Sequence, residues 1–207
     1  MAAHDAADDV GISGARLLFA DGSLQHAGLY FDGTLMPWWV NRHYAKGLPA
    51  DWPAAAASRE VPGVTGAAAL IDKSLFRKNG GLCEDYVIGD FEDSDLCLRL
   101  RAAGYRAYYF AEPILYHMER MSVRRNADYY ETTANRYNGW LHTFRHGEQL
   151  ASLVAEQRAG RFDPPPREAA AGRPQAKGAS RSKSRPKADS SPARRGRGRR
   201  ASGRETA

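Results

Sequence analysis

The sequence predicts an α/β fold, a mixed sheet with flanking helices, followed by a basic tail with no core of its own. Three observations carry this. Val10 to Phe19 is an apolar run closed by Asp21-Gly22, a tight-turn dipeptide, and a second apolar run returns from Leu24 to Phe31. Leu96, Leu100 and Ala103 recur at helical spacing. After Phe162 the chain contains no Val, Ile, Leu, Met, Phe, Trp or Tyr. Residues 163–207 therefore cannot bury enough surface to offset the entropy of ordering and are expected to be disordered. The boundary is drawn at 158/159, with an α/β domain over 1–158 and an Arg, Lys, Ser, Pro and Gly-rich tail over 159–207.

The elements follow in order. Val10–Phe19 reads as a buried strand and Leu24–Phe31 as its hairpin partner. Residues 33–60 are aromatic and irregular, with Pro37-Trp38-Trp39, Trp52-Pro53 and an Ala54–Ala57 run. Such rings either form a sugar platform, because pyranose C–H faces are apolar and the rim polar, or cover the sheet edge. Val61–Ile71 is a strand rich in small residues, which permit close approach of a ligand or a neighbouring backbone. Asp72 caps a short helix through Lys78, ended by Asn79-Gly80-Gly81. Residues 92–103 form a helix stopped by Gly104. Tyr105–Phe110 and Ile114–His117 are strands on either side of Pro113. A helix runs from Asn126 to His146, and a further one from Glu148 to Gln157. There are no internal repeats.

Charge is segregated along the chain. Residues 158–207 hold 15 Lys and Arg against 4 Asp and Glu, a net +11, so that 1–157 carry a net −5 within the +6 of the whole 207 residues. A tail of this kind attracts polyanions by counterion release, whether anionic membrane surface, nucleic acid or acidic polysaccharide, or stays a solvated tail. It has no aromatic residue on which bases could stack, so no specific nucleic-acid partner is expected. The two cysteines, Cys83 and Cys97, have neither metal-ligand nor redox spacing and are expected to be reduced. No apolar run approaches the length of a membrane span, and the acidic N-terminus is unlike a signal peptide, so the chain is expected in the cytoplasm, with the tail as its contact to the inner face of the membrane.

The chemistry is concentrated in Gly89-Asp90-Phe91-Glu92-Asp93-Ser94-Asp95. These acids fall at a helix N-terminus, where partial positive charge and unpaired N–H groups hold a carboxylate ionised and fixed in direction, as a general base requires. A charged cap on a surface helix has the same composition. Asp93-Ser94-Asp95 also reads as an Asp-x-Asp metal loop, but it follows Gly-Asp-Phe-Glu and opens into a helix, whereas such a loop follows a buried apolar strand.

Four blocks together resemble the family 2 glycosyltransferases, inverting enzymes of the GT-A fold. They are Val10-Gly11-Ile12-Ser13-Gly14-Ala15-Arg16-Leu17-Leu18 with Asp21 to Gly28, Val64-Thr65-Gly66-Ala67, the acidic motif with its helix, and Tyr116-His117 followed by Ser122, over about residues 8–147. The resemblance implies a partial GT-A-like sheet. It implies Asp93 as the catalytic base with Glu92 beside it, and Thr65 and Gly66 next to the reaction centre. Asp95 is expected at the helix N-terminus or on acceptor hydroxyls. His117 is expected to ligate a divalent metal, Mn²⁺ or Mg²⁺. Arg120, Arg124 and Arg125 follow as either a clamp on the diphosphate or a solvated basic loop. The partners implied are a nucleotide-sugar donor and a saccharide or lipid-linked acceptor, in cell-surface polysaccharide or glycan synthesis. The family also carries an upstream nucleotide-binding half. Here the chain starts almost on the middle block, so that half is expected to be missing, through a truncated gene or a late start codon. The other class open to this sequence is a non-enzymatic interaction protein that binds polyanions through its tail.

Overall fold

A computed structural model describes residues 9–118 and 133–163. Its centre is β1 (Val10–Leu18), which is buried along most of its length, as its unbroken apolar and small-residue run requires for a strand paired on both sides. β7 (Arg106–Tyr116) runs parallel to β1 on one side, and β5 (Arg59–Val61) pairs antiparallel with β7 beyond it. On the other side of β1, β6 (Ala69–Ile71) pairs antiparallel with Ile12–Gly14, and β2 (Leu24–His26) with Leu17–Leu18. The result is one mixed five-stranded sheet, as the sequence predicts. α2 (Glu92–Ala102) packs on its face, where Leu96, Cys97 and Leu100 meet Ile12, Val61, Ala107 and Tyr109 in the main core.

Three predicted elements divide or merge, each for a local reason. The return strand breaks after His26 because Gly28 (φ +100°) turns the chain away, with Val61 standing where its Cβ would be. The remainder, β3 (Leu29–Asp32), pairs instead with β4 (Val40–His43) in a separate two-stranded sheet. The 61–71 segment breaks at Pro62, which has no N–H to give a ladder. Thr65 then caps a 3-10 turn at Gly66–Ala68, its hydroxyl accepting from the Ala67 N–H, before β6 begins. The two strands around Pro113 are a single β7. Phe110 pairs with Ala15 and Ile114 with Arg16, so Ala111-Glu112-Pro113 bulge out of the ladder.

α1 (Lys73–Lys78) is capped by Asp72 as its sequence indicates, the carboxylate accepting from the N–H groups of Ser74 and Leu75. The two C-terminal helices are one, α3 (Thr133–Arg158, 26 residues); positions 126–132 of the predicted helix lie outside the described residues. The packed chain continues past Arg158. Phe162 is buried with Phe31, Leu98, Leu150, Leu153 and Val154 in a second core cluster under α3. The tail from 164 onward lies outside the described residues. Both cysteines are free, with Cys97 buried, and no helix among the described residues is long and apolar enough to cross a membrane.

Candidate active site

The acidic motif reaches its position through a contorted loop. Ile88, Asp90 and Phe91 have φ of 69°, 67° and 78°, a left-handed run that costs energy at each non-glycine residue and persists only where surrounding contacts enforce it. α3 supplies those contacts. The Asn138 side-chain amide donates to the carbonyls of Val87 and Gly89 at 3.0 and 2.8 Å, and its oxygen accepts from the Val87 N–H at 2.9 Å. Phe91 occupies the N-cap of α2 without a side-chain cap, leaving Glu92, Asp93 and Asp95 in the first turn.

These three acids have different surroundings. Asp93 is half-buried on the wall of a cleft of about 1220 Å³, where its Oδ2 accepts from the Gly66 N–H at 2.9 Å and its Oδ1 from the Ser94 N–H at 2.7 Å. Burial raises its pKa, and the N–H bonds from Gly66 and Ser94 and a contact with Thr65 oppose that rise. Glu92 lines the same cleft. Burial, followed by the charges of Asp93 and Asp90, pushes its carboxyl up to about 7. Glu92 is thereby close to half protonated at neutral pH, beside an Asp93 whose two backbone N–H bonds favour its ionised form.

Asp95 does not line the cleft. It is 1% exposed, and its carboxylate accepts from Tyr86 Oη at 3.2 Å, His146 Nε2 at 2.7 Å and Arg99 Nε at 2.8 Å. Although burial opposes it, these partners hold its pKa down at about 2. In this structure Asp95 lies in the first turn of α2, as expected, and ties that helix to α3 through His146.

The cleft brings Thr65, Gly66, Glu92, Asp93 and His117 together, although 52 residues of sequence separate the first from the last. Arg124, with Arg120 and Arg125, lies outside the described residues. Arg42, His43 and Lys46 also line the cleft, with the rings of Tyr30, Tyr44 and Trp38. His43 Nδ1 is 2.8 Å from Nδ1 of the buried His26, so the two rings share one proton between them. Burial, reinforced by the charges of His43, Arg59, His117 and Lys46, holds the His26 pKa well below its ordinary value. The cleft lining therefore carries side chains of both charges, Glu92 and Asp93 among the acids and Arg42 and Lys46 among the bases.

Sequence reasoning picked out the aromatic residues of α3 and overlooked its polar ones. Asn138, His142 and His146 recur every four residues and so share one face of the helix. Asn138 holds the 87–89 loop, His142 Nε2 meets Ser94 Oγ at 3.0 Å, and His146 meets Asp95. The i, i+4, i+8 spacing was the available signal. It could not name the partners, which lie about 50 residues upstream.

No family model matches the sequence. The chain is 33% identical over 113 residues to "Uncharacterized protein y4gI" of Sinorhizobium fredii, a match covering 55% of this chain and 12% of that protein. It is 32% identical over 143 residues to "O-antigen biosynthesis protein RfbC" of Myxococcus xanthus, covering 64% of this chain and 11% of that protein. The chain thus spans about a tenth of the length of these curated relatives.

Proposed function

We propose that this chain carries the base-bearing, acceptor-side part of a GT-A-type glycosyltransferase of family 2, acting in polysaccharide synthesis. The observation that carries the reading is Asp93 fixed on the cleft wall by the Gly66 N–H, with Thr65, Glu92 and His117 on the same surface. The likeness to an O-antigen biosynthesis protein adds support at the level of a polysaccharide-related role.

In this reading an acceptor hydroxyl enters the cleft beside Asp93 and attacks the anomeric carbon of a nucleotide-sugar. The new C–O bond forms as the bond to the diphosphate breaks on the opposite face, inverting the centre. The hydroxyl proton passes to Asp93, and the bonding electron pair leaves with the diphosphate. The upward shift of the Asp93 pKa is in the direction that strengthens a base, and the Gly66 and Ser94 N–H groups fix its carboxylate in the cleft. Arg42, which also binds Asp32, and Lys46 add positive charge to the cleft lining, of the sign that stabilises a leaving diphosphate.

The family's divalent ion, Mn²⁺ or Mg²⁺, fits this arrangement only in part. His117 offers one imidazole, with a buried Nδ1 that has no hydrogen-bond partner, but no group of three or more His, Cys, Asp or Glu among the described residues is placed to hold a metal. No step is assigned to a metal here. The second reading, polyanion contact through residues 159–207, is carried by the tail's charge alone.

The test is transfer from a panel of nucleoside-diphosphate sugars, measured in the longest natural protein that contains this chain. Asp93→Asn keeps shape and hydrogen bonding but cannot take the proton, so turnover should fall about 10²–10⁴-fold with donor binding retained. Near-normal turnover in that variant would remove Asp93 from the reaction.

A further inference from the structure

A second cavity, of about 490 Å³, adjoins the cleft. Its walls are Pro37, Trp38, Tyr137 and Trp140, with Thr133, Arg136 and Thr143 at its polar points. Trp38 lines both cavities, and Asn135, one residue before Arg136 on α3, lines the first. The two cavities are therefore neighbours that meet at Trp38.

Trp38 is firmly seated there. It packs over Gly139, where a Cβ would lie 2.3 Å from the indole, so the gap left by that glycine holds the ring against α3. Beyond it, Tyr137, Trp140 and Phe144 form a row on the exposed side of α3 at 40%, 55% and 73% exposure. Their spacing covers about 10 Å along the helix axis. The Trp140 and Phe144 rings are stacked, with centroids 5.3 Å apart and planes 17° from parallel. Exposed aromatic rings in this number are costly in water and mark a binding surface.

Resting on the glycosyltransferase reading above, we infer that this row is an extended subsite for an oligosaccharide acceptor, on which sugar units behind the reacting one stack as the chain leaves the cleft. Three features select a glycan over other occupants. The platform begins at Trp38, which also lines the cleft that holds Asp93, so a long ligand in the cleft has the row within its reach. The exposed ring surfaces of Tyr137 and Trp140, with Thr133, Arg136 and Thr143 beside them, match the apolar face and polar rim of a pyranose. The row is longer than a single ring, so it distinguishes a polymer from a monosaccharide.

Cellohexaose, maltohexaose and lipid-free O-polysaccharide, each set against its disaccharide, test this by tryptophan fluorescence and calorimetry on the full chain. At least one long glycan should bind more tightly than its disaccharide. Trp140→Ala should weaken that binding about tenfold, the size of one ring contact, while Trp140→Phe restores most of it and disaccharide binding does not change. Trp140 is more than half exposed, so its truncation leaves the core intact. Absence of binding across the panel, or long-glycan binding indifferent to Trp140→Ala, would overturn the subsite. So would a Trp140→Ala effect confined to partitioning onto phosphatidylglycerol vesicles, which would make this face a membrane contact. Asp93→Asn separates the two readings: lost turnover with retained hexasaccharide binding supports both, whereas retained turnover in that variant would remove the base assignment and leave the platform to stand on binding alone.

Discussion

Glu92 and Asp93 share one cleft and differ in what holds them. Asp93 has two backbone N–H donors, whereas Glu92 Oε2 is buried with no partner, so burial acts on Glu92 with little to oppose it. Its folded pKa of about 7 lies above the ordinary 4.5, which means its contribution to stability is complete below pH 4.5 and is lost as pH rises through 7. Glu92→Gln should therefore be more stable than the parent at pH 8 by roughly 2 kcal/mol and equal to it near pH 4.5, read from urea midpoints. A uniform shift at both pH values would mean that packing and not ionisation sets the difference. Two other groups have the opposite sign. Burial holds His142 down at about 3 against an ordinary 6.5, and its partners hold Asp95 at about 2 against 3.8. Stability is thus lost on the acid side too, first through His142 between pH 6.5 and 3 and then through Asp95 below 4.

Among the elements, α3 organises the site. Its polar face fixes the acidic loop and α2, and Gln157 binds both the N–H and the carbonyl of Phe31 on β3, at 3.0 and 3.1 Å. Its outer side carries the aromatic row, and Gly139 between the two receives Trp38. In an open helix a glycine-to-alanine change gains about 1 kcal/mol from backbone entropy. Here the new methyl would strike the indole, and overpacking of this kind costs about 1–3 kcal/mol, enough to reverse the sign. Gly139→Ala should lower the urea midpoint and alter the tryptophan emission. A stabilised variant with unchanged emission would show that Trp38 is not seated as described.

At the scale of the whole molecule, Arg59 is the side chain that joins distant segments. It is buried, and its guanidinium donates to the carbonyls of Ala27, Ala54, Ala57 and Phe162 while lying over the Tyr44 and Tyr109 rings. One residue of β5 thereby ties the turn after β2, the turn before β5 and the segment after α3 into a single body. Arg59→Met fills a similar volume but leaves those carbonyls without a donor, so it should cost about 3 kcal/mol or more. The loss should appear as one cooperative transition at lower denaturant. If only the residues around Phe162 opened, seen as hydrogen exchange confined to the end of α3, Arg59 would be a local clip.

The sequence by itself determined the features set by neighbours along the chain. The buried run of β1, the Asp21-Gly22 turn, the Asp72 cap and the α2 periodicity with Gly104 at φ +91° were all legible from local pattern, whereas the Gly66 to Asp93 contact needed the fold. What it could not determine is where each strand would find its partner. Gly28 and Pro62 both signal a break in the chain, but only the crowding of Gly28 by Val61 sends β3 to a separate sheet, and only the two sides of β1 decide that β5 and β6 pair with different strands. The fate of Asp95 was equally hidden. Within the motif it matches Asp93, and it becomes a structural tie only because Tyr86, Arg99 and His146 converge on it from three directions. Local pattern reports what a residue can do, but burial and partner geometry, which arise from contacts far apart in sequence, select which of those things it does.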